Sequence, residues 1–211
     1  MAPVHAQVNI DVQSPGIQRL QGAMAELRIG DPVLLASDVG PLIDQDAARS
    51  LQPHVARLQR EARLLQRIDP PQNLQAGCFF PLQAFELESL ALLEKEVFGP
   101  VLHVVRYRAD KLERVIDAVN NTGYGLTLGV HSRIEETWLR VQARARVGNL
   151  YINRNMIGAV VGVQPFGGEG LSGTGPKAGG PHYMLRFANE RTRTVNTAAV
   201  GGNATLLELE D

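Results

Sequence analysis

The chain has 211 residues, 44% of them hydrophobic and 20% charged, enough for one large domain or two small ones with a sizeable core. Lys and Arg number 21 against 22 Asp and Glu, a net charge of -1, and there is no basic stripe or acidic tail; neither nucleic acid nor anionic lipid is expected as a partner. No apolar run approaches the roughly 20 residues that cross a bilayer, the amino end has no basic-then-apolar leader, and the single cysteine, Cys78, excludes an internal disulfide or a Cys-based zinc site. The expectation is a cytoplasmic protein without a membrane span.

The first residues carry no clear period. Ile17, Leu20, Met24 and Leu27 recur at helical spacing and predict a helix, which Gly30, Asp31 and Pro32 stop. Asp44 is placed to cap a long helix running toward Ile68, with Leu51, Val55, Leu58, Ala62 and Leu65 on one face, and Asp69, Pro70 and Pro71 end it. Gly77 to Leu82 reads as a strand or extended edge, Glu88 to Lys95 as a short helix, and Phe98 to Pro100 as a turn.

From there the period alternates. Val101 to Tyr107 predicts a buried strand, Lys111 to Asn121 a helix with Leu112, Val115, Ile116 and Val119 inward, and Leu126 to Val130 a second strand. Glu135 to Arg146, carrying Trp138, Leu139 and Val141, predicts another helix, and Asn149 to Asn153 a third strand. Strands alternating with helices predict an α/β fold with an open parallel sheet, because parallel neighbours need a crossover helix. The alternating tail, Arg191 to Thr197, suits an edge strand or an inter-subunit flap.

Between Gly158 and Gly180 there are nine glycines and two prolines. Gly168-Glu-Gly-Leu-Ser-Gly173 matches the dinucleotide fingerprint G-x-G-x-x-G, but no parallel strand leads into it and no helix follows. Gly170 to Lys177 misses the phosphate-loop pattern because Pro176 stands at the lysine position and removes a backbone donor. Two causes of the glycine density compete: a surface loop with several positive-φ turns, and a backbone brought close to a ligand. The apolar anchors Val160, Val161, Phe166 and Leu171 favour the second.

Other candidate groups have simpler readings. Cys78 sits in the run Phe79, Phe80, Pro81 without a neighbouring base and reads as inert. His5, His54, His103, His131 and His182 are scattered, so no metal site is expected. Glu94 and Glu96, near a turn, read by themselves as solvated charges.

Taken in order, Glu96-Val-Phe-Gly-Pro100, Asn120-Asn-Thr-Gly-Tyr-Gly-Leu126, Gly148-Asn-Leu-Tyr-Ile-Asn153 and Pro165-Phe-Gly-Gly-Glu-Gly-Leu-Ser-Gly173 resemble the aldehyde dehydrogenase superfamily. The flanking Gly158-Ala-Val-Val-Gly162 and Lys177-Ala-Gly-Gly-Pro-His-Tyr183 are similar to the branch that oxidises L-glutamate γ-semialdehyde (1-pyrroline-5-carboxylate) in proline catabolism. The segments Gly30 to Pro32, Asp38 to Asp44 and Asn196 to Ala204 are similar to its bacterial bifunctional proline-utilisation flavoproteins.

The resemblance implies a partial aldehyde dehydrogenase fold, divided into a poorly matched segment 1–16, part of the catalytic domain over 17–190, and an oligomerisation flap and tail over 191–211. It implies NAD as cofactor, with Glu96 on a ribose and Phe98 beside the nicotinamide end. Gly158 and Ala159 correspond to the loop whose amides hold the substrate α-carboxylate, and Phe166 to the aromatic against its aliphatic chain.

The family's cysteine nucleophile, general-base glutamate and oxyanion asparagine lie ahead of the matched part, so no catalytic residue is assigned. The expectation is a C-terminal portion inactive on its own. Its expected partners are a small-molecule aldehyde and either further copies of itself or the missing amino-terminal module. The alternative is a non-catalytic docking or oligomerisation module on the same scaffold.

Overall fold

The computed structural model describes residues 6–10, 15–74, 77–156, 158–160, 162–173, 175–196 and 199. Although no period was expected at the amino end, Ala6–Ile10 forms strand β1. Its sequence, Ala-Gln-Val-Asn-Ile, alternates apolar and polar residues over five positions, which is the period of a strand.

Helix α1 (Pro15–Ala25) follows and buries Ile17 and Met24, as its spacing predicts. Helix α2 (Gln45–Glu61) starts where Asp44 can cap it: the Asp44 carboxylate accepts the Ala47 N–H at 2.8 Å. That bond satisfies one of the otherwise orphaned donors of the first turn. Asp44→Ala should therefore cost about 1 kcal/mol, read as a lower urea midpoint at unchanged slope; an unchanged midpoint would contradict the cap.

The predicted continuation of α2 to Ile68 is wrong. Ala62 turns extended after donating to the Leu58 carbonyl at 2.8 Å, and Arg63–Ile68 is strand β2. Leu65 is buried in this strand, and a helix would have turned it inward as well, so the apolar spacing alone could not mark the change of period. Strand β2 pairs antiparallel with β3 (Leu82–Leu87), closing an edge whose backbone donors would otherwise be unpaired.

The strand expected over Gly77 to Leu82 does not form either: only Leu82 belongs to a strand, the first residue of β3. Pro81 has no N–H to give a ladder, so β3 starts just after it. Cys78 contributes only an isolated bridge, its carbonyl accepting the Leu42 N–H at 2.8 Å. Within the helix expected over Glu88 to Lys95 only a 3-10 turn forms, Leu90–Leu92, capped by the Ser89 hydroxyl accepting the Ala91 N–H at 3.2 Å.

Strand β4 (Val101–Tyr107) is parallel to both β1 and β3, giving the order β1-β4-β3-β2. Along β3 and β4 alternate residues face opposite layers. Phe85, Leu87, Val101 and Val105 pack with Leu51, Val55 and Leu58 of α2, while Ala84 and Val104 pack with Ile17, Met24 and Leu65. Covering both faces is what a parallel arrangement of strands requires.

Helix α3 (Leu112–Asn121), helix α4 (Glu135–Arg144) and the later strands lie where the periodicity puts them. Short strand β5 (Tyr124–Gly125) precedes β6 (Thr127–Val130), and β7 (Asn149–Ile152) runs parallel to β6. The β6–β7 pair does not extend the β4 sheet, as one continuous parallel sheet would have required. It has its own core of Leu112, Ile116, Val130 and Val141. Leu139 is 46% exposed, because Trp138 and Val141, with Ala145 at the cap, define the packed side of α4.

Strand β8 (Glu169–Gly170) pairs antiparallel with β5. Residues 191–196 carry no strand, and most of the remaining tail lies outside the described residues. The fold is α/β, and among the described residues no helix is long and apolar enough to cross a membrane.

Candidate active site

The glycine-rich run owes much of its composition to backbone packed on backbone. A Cβ on Gly148 would lie 1.8 Å from the Gly167 carbonyl oxygen, and one on Gly173 would lie 1.9 Å from that of Gly168. The G-x-G-x-x-G segment is β8 and the turn after it, with no helix whose amino end could receive a pyrophosphate. Close contact with another stretch of protein is a third cause of glycine density, beside the two weighed from the sequence.

Gly158 differs from these. Its φ is 63°, and a Cβ there would meet nothing within 4 Å. Its carbonyl accepts the hydroxyl of Tyr151, a buried β7 residue, at 2.8 Å. Two residues on, the Val160 N–H donates to Gln164 Oε1 at 3.0 Å and the Val160 carbonyl accepts the Gln164 N–H at 2.9 Å. The turn is thus held from both sides, and among the described residues the N–H groups of Gly158 and Ala159 have no acceptor.

Phe166 is half-buried and fixed in a bridge with Ala178, donating to its carbonyl at 3.0 Å and accepting its N–H at 2.9 Å. Asn149, 8% exposed, donates Nδ2 to the Pro165 carbonyl at 3.0 Å, and Lys177 Nζ donates to the Gly148 carbonyl. Both ends of the Gly158 to Phe166 loop are therefore tied to β7 or its approach.

Beside this loop opens a cavity of about 480 Å³, lined in part by Tyr151, Arg154, Val163, Gln164, Pro165 and Lys177. Arg154 lies over the Tyr151 ring at 4.4 Å. The lining has two cations and no carboxylate, so the field favours an anion. The sequence reading missed Tyr151, Asn149, Arg154 and Lys177. A Tyr and an Asn inside a strand otherwise apolar were the available signal.

Glu96 and Phe98 lie elsewhere, on the loop between the 3-10 turn and β4. Both are exposed, Phe98 at 61%. Val97 between them packs on the α2 core, and Gly99 sits so close to Leu51 that a Cβ would lie 2.3 Å from Leu51 Cδ1. Among the described residues, no hydrogen bond or ion pair joins this loop to the Gly158–Phe166 loop. The predicted site residues therefore form two clusters. Cys78, half-buried on its bridge to Leu42, belongs to neither.

A second feature invisible in sequence is a histidine pair. His54 of α2 and His103 of β4 meet with their Nε2 atoms 2.9 Å apart and their rings edge-on at 5.1 Å. His103 is 2% exposed; burial, then the neighbouring His54 and Arg57, push its pKa down to about 4. Burial lowers His54 too, helped by Arg57 and Lys95. Among the described residues, no group of three or more His, Cys, Asp or Glu could hold a metal ion.

The Aldehyde dehydrogenase family matches residues 2–193. The bifunctional protein PutA of Salmonella typhimurium is 52% identical over 186 residues, covering 86% of this chain and 14% of that protein. A crystal structure of a Bradyrhizobium japonicum Proline Utilization A (PutA) mutant superposes with a TM-score of 0.82 at 55% identity, over 92% of this chain and 20% of that one. 1-Pyrroline-5-carboxylate dehydrogenase from Thermus with bound NAD superposes with a TM-score of 0.71 at 33% identity, over 82% of this chain and 33% of that one. The chain thus spans about a seventh of the PutA relative and a third of the single-function dehydrogenase. It belongs to the aldehyde dehydrogenase family.

Proposed function

We propose that this chain is the C-terminal portion of an NAD-dependent L-glutamate γ-semialdehyde dehydrogenase, with residues 17–190 forming part of the catalytic domain and 191–211 the oligomerisation flap and tail. The observation that carries the reading is the Gly158–Ala159 turn: two N–H groups without an acceptor among the described residues, on a loop whose Val163, Gln164 and Pro165 line a cavity together with Arg154 and Lys177. Preorganised amides in a positive field suit a carboxylate, and the substrate's α-carboxylate is the group they would hold. Phe166 would give the aliphatic chain an apolar wall.

The residues at the other cluster fit a dinucleotide. The exposed Glu96 carboxylate can accept from a ribose hydroxyl, and the exposed Phe98 ring stands two residues away for the nicotinamide end. NAD, when bound there, supplies the hydride acceptor. The covalent step needs a thiolate at the aldehyde carbon. Cys78 is not placed for that role, so the nucleophile has to come from polypeptide other than these 211 residues, and the partner is the module that bears it.

Two measurements test this. Titrating the labelled chain with L-glutamate should shift the amide resonances of Gly158 and Ala159 ahead of others; an absence of shifts at both would remove the substrate reading. The chain alone should form no NADH from semialdehyde and NAD, and adding a cysteine-bearing upstream module should restore it. NADH from the pure chain would overturn the assignment.

A further inference from the structure

The loop from Glu94 to Gly99 makes no backbone hydrogen bond among the described residues. It is held at its ends. On the β4 side, the Pro100 carbonyl accepts the Gln83 N–H at 3.0 Å. On the other side stands the 3-10 turn Leu90–Leu92, whose last carbonyls have no partner within the turn.

One of those carbonyls is claimed from α2. Arg57 donates Nη2 to the Leu92 oxygen at 2.8 Å, while its Nη1 pairs with Glu61 at 3.0 Å. The Arg57 side chain is half-buried, at 25% exposure, and its bond to Leu92 lies on the less exposed side of the pair it makes with Glu61. The planar fork of arginine serves two acceptors at once, fixing helix and turn relative to each other.

We infer that Arg57 is a positioning residue for the Glu96–Phe98 loop: through the Leu92 carbonyl it sets where the loop leaves the 3-10 turn, and hence where the carboxylate and ring stand. The inference rests on the cofactor role proposed for Glu96 and Phe98. Arg57 itself touches neither. Its influence runs through one carbonyl and the packing of Leu92, Leu93 and Val97 on the α2 core.

The test is amide exchange and relaxation on the full chain, which needs no cofactor. Arg57→Met should speed exchange of the Leu92 and Leu93 amides about tenfold and lower the order parameters of residues 95–98, with exchange in β4 unchanged. Arg57→Lys, which keeps a cationic donor, should recover part of both. Glu61→Gln, which leaves the Leu92 bond intact, should change neither.

Unchanged loop exchange and order in Arg57→Met would overturn the inference, as would a lysine that recovers nothing or a loosening spread equally over β4. NAD titration of the same proteins separates the two ideas. Failure of the parent chain to bind NAD would count against the cofactor reading, while the exchange data would still decide the role of Arg57.

Discussion

Replacing Gly148 with alanine should leave the region around β7 unable to close. The added Cβ would lie 1.8 Å from the Gly167 oxygen and 2.8 Å from Gly168 Cα, and both obstacles are main chain. Gly148 cannot step aside cheaply. Its N–H donates to the Gly125 carbonyl at 2.9 Å, and its carbonyl takes the Lys177 ammonium.

Overpacking of about 1–3 kcal/mol and the loss of two hydrogen bonds of about 1 kcal/mol each bring the cost to roughly 4 kcal/mol. That is a large part of the stability of a typical domain. Urea titration should show the loss, together with vanished native resonances for Tyr151 and Phe166. Gly158→Ala is the comparison: its Cβ meets nothing, and only the left-handed φ of 63° is penalised, at about 1 kcal/mol. Equal midpoints for the two variants would mean that the close approach at Gly148 is absent.

Acid should weaken the α2–β4 contact well before carboxylates titrate. The pKa of His103 is about 4 in the folded chain against an ordinary 6.5, so below pH 6.5 the unfolded chain takes up a proton that the folded chain refuses. Stability is complete above pH 6.5 and declines as pH falls toward 4, by up to about 3 kcal/mol from this group alone. His54, also lowered, acts in the same direction.

The urea midpoint should therefore fall steadily between pH 6.5 and 5. In His103→Gln that slope should flatten by about one proton's worth. A parent chain whose stability is level across this window would refute the buried, neutral pair.

The elements that the sequence revealed are those with one strong period and clean ends. Helices α1, α3 and α4 and strands β4, β6 and β7 repeat apolar residues at one spacing. The end of α2 was illegible because Leu65 faces inward whether the chain continues as helix or turns to strand. Strand β3 was hidden because its apolar run is broken by Gln83 and Glu86. The site divided along the same line. Glu96, Phe98, Gly158, Ala159 and Phe166 could be named because motif order carries them, whereas the anionic preference of the cavity comes from Arg154 and Lys177, which meet only in three dimensions. His54 and His103 stand on inward positions of α2 and β4, but only the packing of the helix across the sheet joins them.

Strand β1 runs parallel to β4 with Ala6 beside His103, two residues beyond the start of β4. The amino ends of both strands therefore open on the same rim of the sheet, and the approach to β4 is the loop bearing Glu96 and Phe98. Strand polarity thus makes neighbours of two segments far apart in sequence: the entry to β1 and the loop bearing Glu96 and Phe98 share one rim of the sheet, about 90 residues apart along the chain.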